Sequence, residues 1–431
     1  MTPPTLRPPG QVVEIARTLQ LAGFEAWCVG GAVRDALLGL AHLDWDLATS
    51  ATPQEVRRLF KRTVPVGIEF GTVGVLDRDG RMHEVTTFRH DVQTDGRHAV
   101  VQFGASLDED LARRDFTINA IAYDPIAKQL RDPFEGQQDL GRRMVRAVGV
   151  ADERMREDRL RALRAIRFAA RFDFTIDDAT WNAIVASAPY LTRLSPERVR
   201  QELEKTVEQV VCPSVAFTRW RDSGAFGALI PSLADVSPSA LASVDALPLP
   251  TLASRPLRKL LRFAALFGGL DGKSAERALR ALRFSNHDIA TISALVERMT
   301  VHGAVLEAQF RSHGVPADAA LRALAASLGR LRAAGFSRLL AARLAVTEPP
   351  VPAPILRLFH RRLLRVAFRD AIEVADLAVD GDDLRAAGIA AGPTLGRILQ
   401  ALIAEVIEDP SANTRDALLA RARAMASVGN A

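Results

Sequence analysis

The sequence predicts an α+β fold, in which a small mixed sheet within about the first 145 residues precedes an all-helical remainder. Short β-branched runs alternate with helical patterns and turn signals up to about residue 150. Beyond that point strands almost disappear, and apolar residues recur at helical spacing, as in DRLRALRAIRFAARFDF. At 431 residues the chain is also too long for one core, so we expect two to four domains.

Each element of the first part has a local signal. EAWCVGG (25–31) is predicted to be a strand that enters a glycine turn, GAVRDALLGL (31–40) a helix, and DWDLAT (44–49) a second strand. TPQEVRRLF (52–60) is a capped helix, because Thr52 and Glu55 have capping-box spacing and Pro53 occupies the first helical position. GTVGVLDRDGRMHEVTTF (71–88) is a hairpin that turns at Asp79-Gly80.

The second part is predicted to be helical almost throughout. Beyond the helix of DRLRALRAIRFAARFDF, apolar periodicity and caps predict helices over 195–210, 213–224, 255–267, 273–283, 286–300, 317–333, 336–345, 353–376, 382–388, 393–407 and 413–427. The stretch SPSALASVDALPLP (237–250) is the segment most similar to a flexible linker.

The charge balance permits a nucleic-acid partner. The 56 Lys and Arg residues exceed the 51 Asp and Glu residues, and arginine supplies nearly all of the positive charge. Guanidinium groups suit phosphates and base edges. Arginine-rich composition can equally reflect the base composition of a genome, so composition alone does not decide the partner.

Cysteine usage and hydropathy exclude several classes of protein. Two distant cysteines, Cys28 and Cys212, are too few for a disulfide framework or a zinc site, and they fit a reducing cytoplasm. No run of about 18 uninterrupted apolar residues predicts a membrane span. The N-terminal segment also lacks the pattern of a signal peptide. We therefore expect a cytoplasmic protein without a membrane partner.

Two neighbouring features indicate chemistry. Gly30-Gly31 lies between a predicted strand and a predicted helix, where backbone N–H groups can approach a phosphate. Asp44 and Asp46 are two apart, so on a strand both carboxylates project from one face, as Mg²⁺ prefers. Each feature alone is more often a tight turn or a solvated strand end. Their combination predicts a phosphate and metal site at one edge of the sheet.

A third feature lies in EDRLR (157–161). Asp158 and Arg161 are three apart, which predicts that they share one helix face, and Arg164 and Arg167 continue that face. An ordinary salt bridge between Asp158 and Arg161 is the alternative. His360, within RLFHRRLLR, is expected to be solvated or to face RNA rather than to bind a metal.

These motifs resemble a known family. VGGAVRDALLGLAHLDWDLAT (29–49), HEVTTFR (83–89), the segment 95–125, EDRLRALRAIRFAARFDF (157–174), SPERVRQELEKTV (195–207) and DDLRAAGIAAGPTLGRIL (382–399) are similar, in this order, to segments of class II tRNA nucleotidyltransferases and bacterial poly(A) polymerases. These enzymes belong to the DNA polymerase β superfamily. The resemblance covers most of the chain, and residues 225–380 are only loosely constrained by it.

The resemblance implies a domain plan and an activity. A polymerase-β-like nucleotidyltransferase head (1–145) would be followed by a helical neck (146–225), body (226–350) and tail (351–431), the tail binding tRNA. The implied reaction adds or repairs the 3′-terminal CCA of tRNA with CTP and ATP, by two-metal nucleotidyl transfer that releases pyrophosphate. The implied partners are therefore tRNA, ATP, CTP and Mg²⁺.

The resemblance also implies roles for individual residues. Asp44 and Asp46 match the metal-binding, catalytic carboxylates of the family. Asp158 and Arg161 match a pair that hydrogen-bonds the Watson–Crick edge of the incoming base. Glu84 is positioned like a third acidic residue, although a cross-strand charge is nearly as plausible a role. The further nucleotide-contacting positions are Gly31, Arg34, Arg114, Arg164 and Arg167.

Alternative functions remain open at this point. The segment 90–106 is expected to be a flexible loop of nearly full length, which by resemblance favours complete CCA addition or A addition over CC addition alone. An A-adding enzyme with a CC-adding partner, a poly(A) polymerase, a non-catalytic RNA-binding protein and a nucleotidyltransferase for a small hydroxylated acceptor are the competing hypotheses. The paired carboxylates Asp44 and Asp46 argue against the non-catalytic hypothesis, and the long arginine-rich helical half argues against the small acceptor.

Overall fold

A computed structural model describes residues 6–41, 44–94, 99–248 and 255–428, with their side chains except at 90–102 and 428. The chain forms two compact units. The first comprises Met1–Val210 with Val215–Ala234, and the second comprises Val211–Ser214 with Asp235–Ala431. Among the described residues, every strand belongs to the first unit. The predicted α+β class, with a small mixed sheet before a helical remainder, is confirmed.

Up to residue 234, strands and helices alternate before helices take over. The elements are α1 (Gly10–Leu21), β1 (Ala26–Val29), α2 (Gly31–Leu37), β2 (Asp46–Thr49), α3 (Pro53–Leu59), β3 (Thr63–Gly67), β4 (Thr72–Leu76), β5 (Met82–Thr87), β6 (Arg89–Thr94), β7 (Ala99–Phe103), α4 (Leu107–Ala112), β8 (Ala122–Asp124), β9 (Gln129–Arg131), α5 (Gly136–Arg142), β10 (Met144–Val145), α6 (Ala151–Glu157), α7 (Leu160–Phe172), β11 (Thr175–Ile176), α8 (Asp178–Ser187), α9 (Pro196–Gln209), α10 (Pro213–Asp222) and α11 (Ala225–Leu229).

The main sheet has seven strands in the order β3-β4-β5-β2-β1-β8-β9. Only the β2–β5 pair is parallel, so the sheet is mixed. Leu47 on β2 pairs with Val85 on β5, and both side chains are fully buried in the core. The next positions along these strands therefore point to the opposite face, because side chains alternate with a period of two. That face carries the candidate site.

The predicted helix cap after the second strand is confirmed. The Thr52 hydroxyl accepts a hydrogen bond from the Glu55 amide, and the Glu55 carboxylate accepts one from the Thr52 amide at 2.7 Å. Pro53 occupies the first position of α3. The hairpin of β4 and β5 also forms as predicted, with Gly80 in the left-handed region at φ +81°.

The described elements of the second unit are helices. They are α12 (Pro238–Asp245), α13 (Arg255–Leu266), α14 (Gly272–Ala281), α15 (Asn286–Ser312), α16 (Asp318–Leu328), α17 (Ala333–Ala345), α18 (Ala353–Arg369), α19 (Gly381–Ala386), α20 (Pro393–Glu408) and α21 (Arg415–Val428). Edge-to-face phenylalanine pairs fill the core, with centroids 5.0 Å apart for Phe263–Phe284 and for Phe310–Phe359.

Three predictions about this helical part were wrong. Helix α15 extends to Ser312 rather than residue 300, since buried Gly303, Leu306 and Phe310 continue its apolar face. Helix α18 ends at Arg369 rather than residue 376. The expected linker 237–250 contains α12, because Ser237 caps Pro238–Asp245 by accepting from the Ala240 amide; residues 249–250 lie outside the described ones.

The segment 90–106 also differs from its prediction. Instead of a loop, β6 and β7 form an antiparallel two-stranded sheet that is separate from the main one. Residues 95–98, between the two strands, lie outside the described part of the chain. The pairing register shifts between residues 91 and 93. The described strands hold this segment in a defined register rather than as an irregular loop.

Helix α15 meets the length and composition criteria of a membrane span, within the residues that the structure describes. Of its most apolar window, 39% is buried inside the protein. A core helix of a soluble protein satisfies the same criteria, so this helix is weak evidence for a membrane segment.

Candidate functional site

A cleft of about 1200 Å³ opens in the first unit. The turn between β1 and α2, the start of β2, strand β5, the segment 113–119 and helices α7 and α9 all contribute to its walls. Every residue for which a site role was predicted lines this cleft: Gly31, Arg34, Asp44, Asp46, Glu84, Arg114, Asp158, Arg161, Arg164 and Arg167. Residues more than 100 positions apart in sequence therefore share one cavity.

The two aspartates lie on the same side of the chain. Asp44 and Asp46 are exposed, whereas Trp45 and Leu47 are buried at 4% and 0% exposure. This alternation is that of a strand, although β2 itself begins only at Asp46. Asp46 pairs with Val29 of β1, the residue that precedes the glycine turn. The sheet register thus brings the carboxylates beside the turn.

Glu84 occupies the neighbouring strand at the same level. Because Leu47 pairs with Val85 in the parallel β2–β5 register, Asp46 and Glu84 precede these two partners on the cleft side of the sheet. This arrangement is compatible with a third acidic residue at the site. A role for Glu84 stays a prediction.

The donor set fits a hard divalent cation. Asp44 and Asp46 present carboxylate oxygens to a cleft wide enough for a substrate that carries further oxygen ligands. Within the described ranges, no group of three or more His, Cys, Asp or Glu side chains could hold a metal ion by itself. Mg²⁺ suits such an incomplete set, because it is bound by one or two carboxylates together with substrate phosphates and water.

Gly30 allows the turn to lie against an arginine. Its φ of +73° is a left-handed conformation, and a Cβ atom there would lie 3.1 Å from Nη1 of Arg114. Two hydrogen bonds orient the Arg114 guanidinium: it donates to the Asp110 carboxylate at 3.2 Å and to the Asn119 carbonyl oxygen at 3.4 Å. The Arg114 guanidinium therefore packs directly on the turn that leads to Gly31.

Arg34 is a buried cation in the cleft wall. Arg34 is 3% exposed. Its guanidinium donates to the carboxylate of Asp35 at 2.7 Å and to the side-chain oxygen of Asn119. The guanidinium carbon also lies 5.0 Å and 4.7 Å from the ring centres of Phe168 and Phe172. Burial lowers the pKa of Arg34, and the charge of Asp35 opposes that shift. Arg34 thus links α2 to α7 as well as lining the cleft.

The prediction that Asp158 and Arg161 share a helix face was wrong. Asp158 is the extended residue between α6 and α7, and only Arg161 lies within α7. The Asp158 carboxylate instead accepts from Arg198 of α9 at 2.7 Å and from the Leu160 amide at 3.0 Å. Asp158 therefore satisfies the first amide of α7 while it faces the cleft.

Arg161 is positioned by other partners. It donates to the Glu157 carboxylate at 2.6 Å, to the Arg154 carbonyl at 3.1 Å and to the Arg113 carbonyl at 2.9 Å. These three hydrogen bonds leave two of the five guanidinium N–H groups of Arg161 without a protein acceptor among the described residues. The Asp158 and Arg161 side chains are held in the cleft by separate partners rather than by each other.

Arg164 and Arg167 each have a carboxylate partner. Arg164 donates to Asp115 at 2.8 Å, and Arg167 donates to Glu202 at 2.7 Å. Both guanidinium groups also lie near the ring of Phe168, at 5.4 Å and 4.4 Å. The charge of Asp115 raises the pKa of Arg164, whereas burial lowers the pKa of Arg167.

Asp115 is a supporting residue of the cleft. Its carboxylate accepts from Arg164 and also from the Asn119 side chain at 2.8 Å. Burial would raise the pKa of Asp115, but the charge of Arg164 and the two hydrogen bonds outweigh it and lower the pKa. Asp115 stays ionised at neutral pH and connects the segment 113–119 to α7.

Other supporting residues had weak signals or none. Phe168 and Phe172 are four apart on α7, a spacing that could have indicated one aromatic face among the arginines. The partners from other elements had no local signal, because they meet the cleft residues only in the folded chain: Asn119, Arg198 and Glu202.

Comparisons with known proteins identify the family. The model described as "Poly A polymerase head domain" matches residues 26–146, "Probable RNA and SrmB- binding site of polymerase A" matches 173–236, and the second domain of tRNA nucleotidyltransferases matches 369–422. The CCA-adding enzyme of Geobacillus kaustophilus is 37% identical over 422 residues, which cover 96% of this chain and 97% of that one. The chain belongs to the family of CCA-adding enzymes. It is thus a nucleotidyltransferase.

Further CCA-adding enzymes agree with this assignment. The protein from Latilactobacillus sakei is 36% identical over 418 residues, covering 96% of this chain and 97% of its own. The crystal structure of the Bacillus stearothermophilus CCA-adding enzyme in complex with CTP covers 100% of both chains, with a TM-score of 0.77 and 32% identity. Enzymes of the CCA-adding type generally use divalent metal ions. The predicted family is confirmed, whereas the individual site roles stay predictions.

Proposed function

We propose that this CCA-adding enzyme builds or repairs the 3′-terminal CCA of tRNA from CTP and ATP without a nucleic-acid template, releasing pyrophosphate. The observation that carries the proposal is the convergence of Asp44, Asp46, Gly31, Arg114, Asp158 and Arg161 on one cleft. Such a cleft provides carboxylates for a metal, cationic groups for a triphosphate and polar groups for a base edge. Membership of the family supplies the reaction to which this arrangement corresponds.

We infer that Asp44 and Asp46 hold the divalent metal, with Mg²⁺ as the cation that their hard oxygen atoms favour. When bound, the metal supplies Lewis acidity that lowers the pKa of a 3′-hydroxyl and offsets the charge of the triphosphate. Gly31 presents backbone N–H to the nucleotide, and Arg114 contributes positive charge beside the same turn. Arg34, Arg164 and Arg167 add charge to the wall, although their protein partners already orient their guanidinium groups.

The choice of base would lie with Asp158 and Arg161. A carboxylate accepts from an exocyclic amine, and a guanidinium donates to a ring nitrogen and its neighbouring acceptors. C and A each present an amine beside a ring acceptor on the Watson–Crick edge, whereas G and U do not. Arg198 and Glu157 hold the two side chains in place before a nucleotide arrives, which reduces the cost of ordering them.

The remaining chain would recognise tRNA. We propose the four-part division into head (1–145), neck (146–225), body (226–350) and tail (351–431), with the helical parts orienting the tRNA so that its 3′ end reaches the cleft. The net charge of +5 supports binding to a polyanion. The few cysteines, Cys28 and Cys212, fit a cytoplasmic enzyme.

The activity is tested by offering three tRNAs, which end at the discriminator base, after C and after CC. Each is incubated with CTP, with ATP or with both, and the products are resolved on sequencing gels. We expect all three to be extended to CCA and no further. Extension of the CC-ending tRNA alone would identify an A-adding enzyme, and long tails on any RNA would identify a poly(A) polymerase.

The metal assignment is tested by Asp44→Ala and Asp46→Ala. Each is expected to lower kcat by about 10²-fold or more, because the charge developing at the reacting phosphate loses its stabilisation. Affinity for tRNA should be retained in a filter-binding assay. Asp178→Ala, at an exposed aspartate outside the cleft, is the matched control and should remain active. Turnover retained in Asp44→Ala or Asp46→Ala would refute the assignment.

A further inference from the structure

A second cavity, of about 800 Å³, lies within the second unit. Helices α13, α17 and α18 line it, together with residues 246–248 that follow α12. Small apolar side chains cover much of its wall, among them Ala341, Ala342 and Ala345 of α17 and Leu356 of α18. Its volume falls within the range of about 300–1,000 Å³ that small-molecule sites occupy. It shares no lining residue with the cleft of the first unit.

Four arginines surround this cavity, which we call the arginine pocket. They are Arg258 of α13, Arg338 of α17, and Arg357 and Arg361 of α18. None of its described lining residues is an aspartate or a glutamate. Within the described chain no ion pair joins any of the four to a carboxylate, whereas Arg362 and Arg365 of the same helix share Asp318. The pocket therefore concentrates uncompensated positive charge.

The arginines are also close enough to repel each other. Burial lowers the pKa of Arg258, and the charge of Arg338 lowers it further. Arg357 and Arg361 are four apart and hence neighbours on one face of α18. Arg258 and Arg338 are half-buried and Arg357 and Arg361 are exposed, and an anion that binds among the four relieves the repulsion between their charges. This arrangement favours a ligand with more than one negative charge.

His360 contributes a neutral ring rather than a fifth charge. The Ser337 hydroxyl lies 2.7 Å from Nδ1 of His360 and 3.1 Å from the Ala334 carbonyl oxygen, within hydrogen-bond distance of both. Burial lowers the pKa of His360, and the charge of Arg338 lowers it further. Instead of being solvated as expected from its sequence, His360 is tied to α17 at the wall of the pocket.

We propose that the arginine pocket binds a small organic phosphate with at least two negative charges and an apolar or aromatic portion, the chemistry of a nucleotide. The arginines would hold the phosphates through bidentate hydrogen bonds. The alanine and leucine wall would receive the uncharged portion. A concave, alanine-lined cavity fits a small molecule better than a length of RNA, because single-stranded RNA is held on grooves with aromatic stacking platforms.

Isothermal titration calorimetry with ATP tests the proposal on the full chain. We expect two ATP sites in the unmodified protein, one of them weakened about tenfold or more by the double variant Arg338→Gln/Arg361→Gln. Arg369→Gln, at an exposed arginine of α18 outside the pocket, is the matched control and should keep both sites. Circular dichroism and the thermal midpoint verify that each variant is folded. Arg338→Lys/Arg361→Lys, which keeps the charge, should bind with intermediate affinity.

Further probes identify the source of the phosphate. Inorganic tripolyphosphate should compete with ATP at the arginine pocket, and adenosine should not, because the phosphates provide the recognition. A 5′-phosphorylated RNA tetranucleotide tests whether the phosphate belongs to RNA. A single ATP site in the unmodified protein, unchanged binding in the Gln variant, or binding of the RNA alone would each overturn the proposal.

Discussion

At the scale of single residues, Gly30 shows how tightly the cleft is built. Its left-handed backbone ends β1, and its missing side chain leaves the space that the Arg114 guanidinium occupies. Gly39, only nine residues later, has a nearly identical φ of +71° but open space around its Cβ position. The two glycines therefore contrast a crowded Cβ position with an open one at a similar φ.

Gly30→Ala and Gly39→Ala should each lower the free energy of unfolding, by about 1–3 kcal/mol, because both force an L-residue to a positive φ, and the ψ of −136° at Gly30 adds to the strain there. Only Gly30→Ala should also displace Arg114 and lower kcat/KM, by about tenfold, since small misplacements at a reacting centre are costly. Chemical denaturation and single-nucleotide addition kinetics measure the two effects. Equal activity of the two variants would show that Arg114 does not need its present position.

At the scale of elements, helices α7 and α9 are joined by a buried ion pair. The Arg167 and Glu202 side chains are 4% and 1% exposed, and Nε of Arg167 lies 2.7 Å from the Glu202 carboxylate. Lys205 adds a second, weaker contact to Glu202 at 3.4 Å. Since Arg167 also packs on Phe168, this pair determines how the arginine face of α7 is presented to the cleft.

Glu202→Gln is expected to destabilise the protein by about 3–5 kcal/mol, because it leaves the charge of Arg167 buried without a counter-ion. The matched control is Glu276→Gln, which removes one partner of the exposed Arg280–Glu276 pair and should cost less than about 1 kcal/mol. Urea denaturation measures both. The double variant Arg167→Met/Glu202→Leu should recover most of the lost stability and still add nucleotides poorly. Similar losses for Glu202→Gln and Glu276→Gln would contradict the structural role of this pair.

At the scale of the whole molecule, the two compact units differ in their cores. The first is organised around a sheet whose buried face holds residues such as Leu47 and Val85, and the second packs only helices in its described part. In the second unit two histidines are partly buried: His302 hydrogen-bonds Ser327 at 3.1 Å, and His360 hydrogen-bonds Ser337. Stability of this unit should therefore depend on pH near neutrality.

Burial lowers the pKa of both His302 and His360, and a nearby arginine lowers each further. The unfolded chain then binds more protons than the folded chain just below the ordinary histidine pKa of about 6.5. The free energy of unfolding should fall as the pH falls from about 7.5 to 5.5. Denaturation at these two pH values should show that the free energy of unfolding falls less in the double variant His302→Gln/His360→Gln than in the unmodified protein. The control, His313→Gln at an exposed histidine, should show the same fall as the unmodified protein. An unchanged fall in the double variant would contradict this origin.

The sequence by itself determined the local features of the cleft and the chemistry that they offer, and its resemblance to a known family predicted the remaining cleft residues. The strand periodicity around Asp44 and Asp46, the glycine turn and the arginines of α7 are local patterns, and each is legible within a dozen residues. The α+β class followed from the same patterns, because alternating runs give strands and recurrent apolar spacing gives helices. These features could be predicted since the backbone geometry that they require is a property of neighbouring residues.

Only the tertiary structure decided how the cleft residues are held. Asp158 pairs with Arg198, 40 positions away, and Arg164 pairs with Asp115 across 49 positions. The arginine pocket likewise assembles three helices whose sequences show no shared motif. Local periodicity carries no information about such contacts, because they depend on which surfaces pack together once the apolar faces are buried. The same reason explains why Asp158 lies between α6 and α7, although its spacing of three residues from Arg161 is that of neighbours on a single helix.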